Sequence, residues 1–167
     1  MPAYDEMRVR NEAFVAAHDP TSLPDAPRLG ALVVSCIDFR VDPAHYARLG
    51  LGEAFVLRVL GGRVTEDVEA QVVATDALAR LHGEALAEVV VVHHTDCGTA
   101  AFAERSLAES VAPRVGMAVE ALQAIAVDDP RRTVAEDVAR LTDHPALDAE
   151  VKGFVYDLAN GRLSPVP

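Results

Sequence analysis

Cysteine is scarce in this 167-residue chain: only Cys36 and Cys97 are present. Two thiols make at most one disulfide, which excludes a disulfide-built scaffold. In an intracellular chain, sparse cysteines more often serve metal binding, catalysis or plain burial. Lysine is scarcer still, with Lys152 alone, and the formal net charge is -11. So acidic a chain argues against nucleic acid or an anionic membrane as partner, because both reward cationic surface. No apolar run reaches the roughly 18 residues of a membrane span. The N-terminal stretch MPAYDEMRVRNEAF mixes charges with apolar residues and lacks the apolar core of a secretory signal. These absences lead to the expectation of a cytoplasmic protein. No internal repeat or low-complexity linker divides the chain, so residues 1–167 are read as one domain, long enough to bury a core.

What is present alternates in type. Residues Tyr4 to His18 carry spaced apolar side chains (Met7, Val9, Phe14, Val15) and fit a short helix within an N-terminal arm over 1–28, followed by a loop rich in Pro from Pro20 to Pro27. LGALVVS and EAFVLRVL read as strands, the second stopped by Gly61-Gly62. Thr65 stands as an N-cap with Glu66 and Asp67 in the first turn, and the helix it opens turns Val68, Val72, Leu78 and Leu81 to one side before ending near Gly83. AEVVVVHH is the clearest strand, and its valine run fits a strand covered on both faces. Helical patterns follow around Ala100 to Val111, Arg114 to Val127 and Thr133 to Leu141. EVKGFVYDLANGRLSPV alternates around Asn160-Gly161, a hairpin signal. The class is α/β: a mostly parallel central sheet flanked by helices, with an antiparallel C-terminal edge hairpin.

Two of these strands end in reactive residues. VVSCIDFRVD places Cys36, Asp38 and Arg40 on alternate positions after the first strand, and HHTDCG, His93 to Gly98, follows the third. Open α/β sheets hold ligands beyond the C-terminal ends of their strands. If the two strands are neighbours, Cys36, His94 and Cys97 form a Cys2His set suited to zinc, with an open fourth position as in catalytic rather than structural sites. Taken singly, each of these residues has a plainer reading. A cysteine is more often a small buried residue, and His93 reads as a hydrogen-bonded core histidine pointing away from its neighbour. Asp38 and Arg40 make an ordinary ion pair. The joint placement shifts the balance, because both cysteines of the chain fall at matching strand ends.

C-x-D-x-R (Cys36, Asp38, Arg40) followed by H-x-x-C (His94, Cys97) resembles the β-class carbonic anhydrase family, over about Leu29 to Leu163. LRVLGGRVTEDV resembles that family's Arg-Asn-Ala-Gly-Gly turn and the helix after it, and VVVVHHTDCGTAAF is similar to the zinc-binding loop of a small bacterial subgroup. The resemblance implies Zn2+ held by Cys36, His94 and Cys97, with Asp38 and Arg40 as a catalytic dyad and Asp38 as an optional fourth ligand. It implies substrate contacts at Gly61, Gly62 and Gly98, and reversible hydration of CO2 to bicarbonate by a zinc-bound hydroxide. It further implies a homodimer, or a tetramer built from it, with the N-terminal helix packed on a second subunit.

One departure bears on substrate. Val59 and Leu60 stand where the family commonly has Asn and Ala, so the pocket beside the second strand is altered unless Leu60 is merely core, its plainer reading. Two other functions stay open on the sequence. One is a related hydrolase of carbonyl sulfide or carbon disulfide. The other is a non-catalytic zinc- or bicarbonate-binding protein whose metal Asp38 closes permanently. A thiol-redox role ranks last.

Overall fold

Valine and other apolar residues dominate the central segments, and in the computed structural model, which describes residues 1–167, they lie in five strands. β1 (Ala31–Cys36), β2 (Ala54–Val59), β3 (Glu88–His94), β4 (Glu150–Tyr156) and β5 (Leu163–Val166) form one sheet in the order β2-β1-β3-β4-β5. β1 runs parallel to both β2 and β3, and β3 runs parallel to β4. β5 turns back antiparallel on β4 through a loop containing Asn160 and Gly161, the latter at φ 72°. This is the α/β sheet with an antiparallel edge that the sequence leads one to expect.

Six helices accompany it: α1 (Ala3–Val15), α2 (Pro43–Tyr46), α3 (Glu66–Leu81), α4 (Arg105–Val115), α5 (Val119–Ala124) and α6 (Pro130–Thr142). None is long and apolar enough to cross a membrane. Asp129 starts α6: its carboxylate accepts from the Arg131 and Arg132 amides, and Pro130 supplies a first residue with no amide to satisfy. One face of the sheet (Leu32, Val34, Val89, Val91) packs on Val68 and Val72 of α3 and Val134 and Leu141 of α6. Each such side chain contributes about 1.5–3 kcal/mol through burial.

Several sequence expectations are corrected. Val68 and Val72 are buried on α3, but Leu78 and Leu81 are exposed, and Asp76 and Ala79 take the inward positions instead. Asp76 goes inside because its carboxylate pairs with Arg80 at 2.6 Å and accepts the Leu86 amide at 2.9 Å. Thr65 has the extended backbone of an N-cap but makes no side-chain cap bond. The two helices expected over 100–127 are a 3-10 turn (Gly98–Ala103), α4 and α5, because Glu104 breaks into extended backbone and Gly116 ends α4 in the left-handed region. The valine run of β3 is covered by helices on one face only. On the other, Val90 and Val92 line an apolar groove of about 250 Å³ with Ala31, Val33, Tyr46 and Phe154. α1 buries none of its residues against the rest of the chain.

Candidate metal centre

β1 and β3 are hydrogen-bonded neighbours in parallel register, Ser35 opposite Val92, so their C-terminal ends coincide. That register brings Cys36 Sγ, a His94 ring nitrogen and Cys97 Sγ within 4.8 Å of one another, all three residues buried. The two sulfurs are 3.9 Å apart and both cysteines are free thiols. This separation is about twice the ~2.05 Å of a disulfide. It is close to the ~3.8 Å that tetrahedral angles and ~2.3 Å zinc–sulfur bonds impose on two thiolates.

His94 gives the strongest test of fit. Its Nδ1 donates to the Thr95 carbonyl at 2.9 Å. A carbonyl can only accept, so the proton lies on Nδ1 and the Nε2 lone pair is free. Nε2 is the one buried side-chain nitrogen or oxygen in the chain with no hydrogen-bond partner. A buried polar atom left unpaired costs about 1–3 kcal/mol. An imidazole fixed by a carbonyl on one nitrogen and turning the other towards two sulfurs is a metal ligand's arrangement.

The sulfurs carry charge readily. A hydrogen bond from Cys36 outweighs the penalty of burial and, with the neighbouring His94 ring and Thr99 hydroxyl, holds the Cys97 thiol below its ordinary range. The same contact, with burial, pushes Cys36 up. Two thiols this close share one negative charge unless a cation lies between them. The Thr99 Oγ1 is 3.2 Å from Cys97 Sγ, and the Asp38 amide donates to Cys36 Sγ at 3.4 Å. Soft thiolates with a neutral imidazole are the donor set that zinc accepts, so the residues fit the metal the sequence implies.

Asp38 lies just outside this cluster. Arg40 grips it through two parallel bonds, Nε to Oδ1 at 3.0 Å and Nη2 to Oδ2 at 2.7 Å, and the Arg40 amide donates to Oδ1 as well. The Arg40 contact outweighs partial burial and brings the Asp38 carboxyl down to about 2. Asp38 is therefore turned to Arg40 rather than to the sulfurs. Arg40 reaches across to the third-strand loop, donating to the Asp96 carboxylate at 2.7 Å and to its carbonyl at 2.8 Å. Asp96 holds that loop at φ 55°.

Cys36, Ile37, Asp38, Leu60, Cys97, Gly98, Thr99 and Phe102 enclose a cavity of about 270 Å³. Leu60 is not core: it is 49% exposed and lines the cavity. Gly98 lines it too, whereas Gly61 and Gly62 are buried beneath and line none of it. Both take φ 70°, and a Cβ on Gly61 would lie 2.5 Å from the Ile125 carbonyl oxygen and 3.1 Å from Thr99 Oγ1. A Cβ on Gly62 would lie 3.0 Å from the Cys36 nitrogen. These glycines let the turn approach the two cysteine segments closely.

Sequence reasoning missed Arg58, Asp96 and Thr99. Arg58 donates to the carbonyls of Cys36 (3.2 Å), Ile37 (3.3 Å), Asp38 (2.7 Å) and Val41 (2.9 Å) and to the Asp42 carboxylate (3.0 Å), clamping the loop that carries the dyad. An arginine inside a strand otherwise apolar was the available signal. Asp96 and Thr99 flank Cys97 in sequence, but nothing in their type distinguishes them from ordinary loop residues.

Comparison with known proteins agrees with this geometry. Residues 31–163 match the family model described as "Carbonic anhydrase". The chain is 29% identical over 146 residues to "Beta-carbonic anhydrase 1" of Mycobacterium tuberculosis (strain ATCC 25618 / H37Rv), covering 86% of each protein. Among solved structures, the carbonic anhydrase of Streptococcus mutans superposes with a TM-score of 0.84 at 31% identity, over 100% of this chain and 99% of that one. The carbonic anhydrase of Glaciozyma antarctica gives 0.76 at 32% identity, over 95% of each. With a family match spanning both strand-end motifs and the intervening Gly-Gly turn, this chain belongs to the β-carbonic anhydrase family.

Proposed function

We propose that the protein catalyses the reversible hydration of CO2 to bicarbonate with a zinc ion held by Cys36, His94 and Cys97. The observation that carries this reading is the unpartnered Nε2 of His94, buried beside two sulfurs 3.9 Å apart. Zinc bound there supplies Lewis acidity, which makes water a nucleophile near neutral pH. The chain's own residues do the rest. Asp38, ionised at about 2 and held by Arg40, is too weak a base to keep a proton at neutral pH. Its part is to accept a hydrogen bond from the attacking water and so aim the water's lone pair at carbon. Ile37, Leu60 and Phe102 offer an apolar wall to a small linear substrate, while Gly98 borders it without a side chain. Bicarbonate, an anion against that wall, is poorly held and leaves. With Asp38 on Arg40, the site is in an open arrangement; a move of Asp38 onto the metal would close it.

The apolar mouth, with Leu60 exposed in it, supports a second reading as a hydrolase of carbonyl sulfide or carbon disulfide. The experiment is metal analysis of the purified protein joined to stopped-flow assays of CO2 hydration across pH, with the two sulfur gases in parallel. One zinc per chain with CO2 hydration rising with pH is expected. A metal-loaded protein that hydrates nothing at any pH would make it a zinc- or bicarbonate-binding protein instead.

The working unit is a homodimer, or a tetramer built from two such dimers. α1 leaves Met7, Phe14 and Val15 exposed, and the open face of the sheet presents an apolar groove of about 250 Å³. A second copy would cover both. Sedimentation should return at least twice the 17.8 kDa chain mass, and a monomer at micromolar concentration would reject this assembly. Two free thiols in near contact suit the reducing cytoplasm, where this reading assigns the protein.

A further inference from the structure

We infer that Asp137 of α6 is a positioning residue for the metal centre, acting through His93 and the Gly61–Gly62 turn. The inference rests on Cys36, His94 and Cys97 being metal ligands. The Asp137 side chain is 3% exposed. It accepts from Arg63 Nε at 2.9 Å and Nη2 at 3.1 Å, from the Val64 amide at 2.9 Å, and lies 3.1 Å from His93 Nε2. His93 Nε2 is also 3.2 Å from the Gly62 carbonyl oxygen. Carboxylate and carbonyl both accept, so Nε2 donates to them. The other ring nitrogen lies 2.8 Å from Thr133 Oγ1, also on α6. The His93 ring, fully buried, is thereby fixed at both ends.

Each arm of this cluster reaches a ligand within one or two contacts. His93 and His94 are consecutive on β3, so locking one ring on the helix side fixes the backbone from which the other projects. The Gly62 carbonyl pinned by His93 belongs to the turn that packs against the Cys36 nitrogen. Gly61 packs against Thr99 Oγ1, which is 3.2 Å from Cys97 Sγ. Arg63 Nη1 donates to the Ala126 carbonyl at 3.0 Å. That carbonyl lies between Ile125, under Gly61, and Val127, which shares a buried apolar cluster with both cysteines. Asp76 is the useful contrast. It is as buried and pairs with Arg80, yet its other partner, the Leu86 amide, precedes β3 at the end of the sheet opposite the ligands.

The test compares wild type with Asp137→Asn, Thr133→Val and Asp76→Asn. Affinity is read by titration with Co2+, followed through thiolate-to-cobalt absorption, and by zinc competition with a chelator; melting temperature is measured in parallel. Asp137→Asn should raise the metal dissociation constant roughly 10-fold, the lower end of the cost of losing a group directly behind a ligand, because it acts one contact further out, and should shift the cobalt bands. Thr133→Val should move both in the same direction by roughly 10-fold. Asp76→Asn should lower the melting temperature and leave affinity and spectrum unchanged. Wild-type affinity and bands in Asp137→Asn and Thr133→Val would overturn the inference. Should Asp137→Asn not fold, an unchanged Thr133→Val would overturn it alone. A wild-type chain that takes up neither metal would instead overturn the metal reading beneath it.

Discussion

His94 gives its proton to the Thr95 carbonyl and is left with a lone pair that nothing in the chain uses. Cys97 is drawn towards thiolate by Cys36, His94 and Thr99. An unpaired buried nitrogen beside a sulfur already drawn to the charged state is a stronger argument for a divalent cation than proximity. Two substitutions separate holding the metal from using it. Cys97→Ser replaces a thiolate with a hydroxyl that resists deprotonation and ligates zinc poorly. Metal content by elemental analysis should fall to a small fraction of one per chain, and activity with it; full metal retention would contradict the ligand assignment. Asp38→Ala should keep its zinc while turnover drops, by roughly 10- to 100-fold as for other groups that orient a metal's reactants. Arg40→Ala should behave alike, since Asp38 then loses its bidentate partner. Loss of zinc from either variant, or unaltered turnover, would reject the orienting role.

Strand ends and turns set this geometry, and each is held from behind. Arg58 fixes the loop after β1, and the Gly61–Gly62 turn after β2 packs against Cys36 and Thr99. Gly61→Ala forces a Cβ to within 2.5 Å of the Ile125 oxygen at φ 70°. It should cost on the order of 1–3 kcal/mol, seen as a lower denaturation midpoint, and should loosen metal binding; an unchanged midpoint would mean that the turn relaxes freely. The sequence made β1, β3 and the meeting of Cys36, His94 and Cys97 legible, because valine runs mark strands and the reactive residues sit at their ends. The supports were not legible. Arg58 stands out as a charge in an apolar strand, but the backbone carbonyls it holds leave no trace in residue type, and Asp137 meets its partners Arg63 and Val64 across more than 70 positions. Leu78 and Leu81 mislead by type, because the ion pair and amide bond of Asp76 turn α3 so that a carboxylate faces inward. Leu60 misleads in the same way: an apolar residue after a strand reads as core, and here it lines a cavity.

At the scale of the whole molecule, the charge of -11 and the buried carboxylates predict how the fold responds to acid. Most of the acidic side chains are solvated, and their protonation changes net charge more than stability. Asp137 is different. Burial pushes its carboxyl up, but hydrogen bonds from His93 and Arg63 and their nearby charge more than reverse this, leaving it below the ordinary range. Arg63 also reaches Glu136, so one guanidinium faces two carboxylates when Asp137 is ionised. A carboxylate lowered in the folded state binds its proton more readily in the unfolded chain. Its contribution is therefore complete above the unfolded value of about 3.9 and is lost as pH falls through the lower folded value. The melting temperature should hold nearly level from pH 7 to about 5, then drop steeply below about 4. Asp137→Asn, with no proton to gain, should begin from a lower plateau and fall less over the same acid range. Measuring both curves by circular dichroism tests this directly. Parallel curves through the acid limb would mean that Asp137 is no more stabilised ionised in the fold than out of it, and that acid unfolds the protein through other groups.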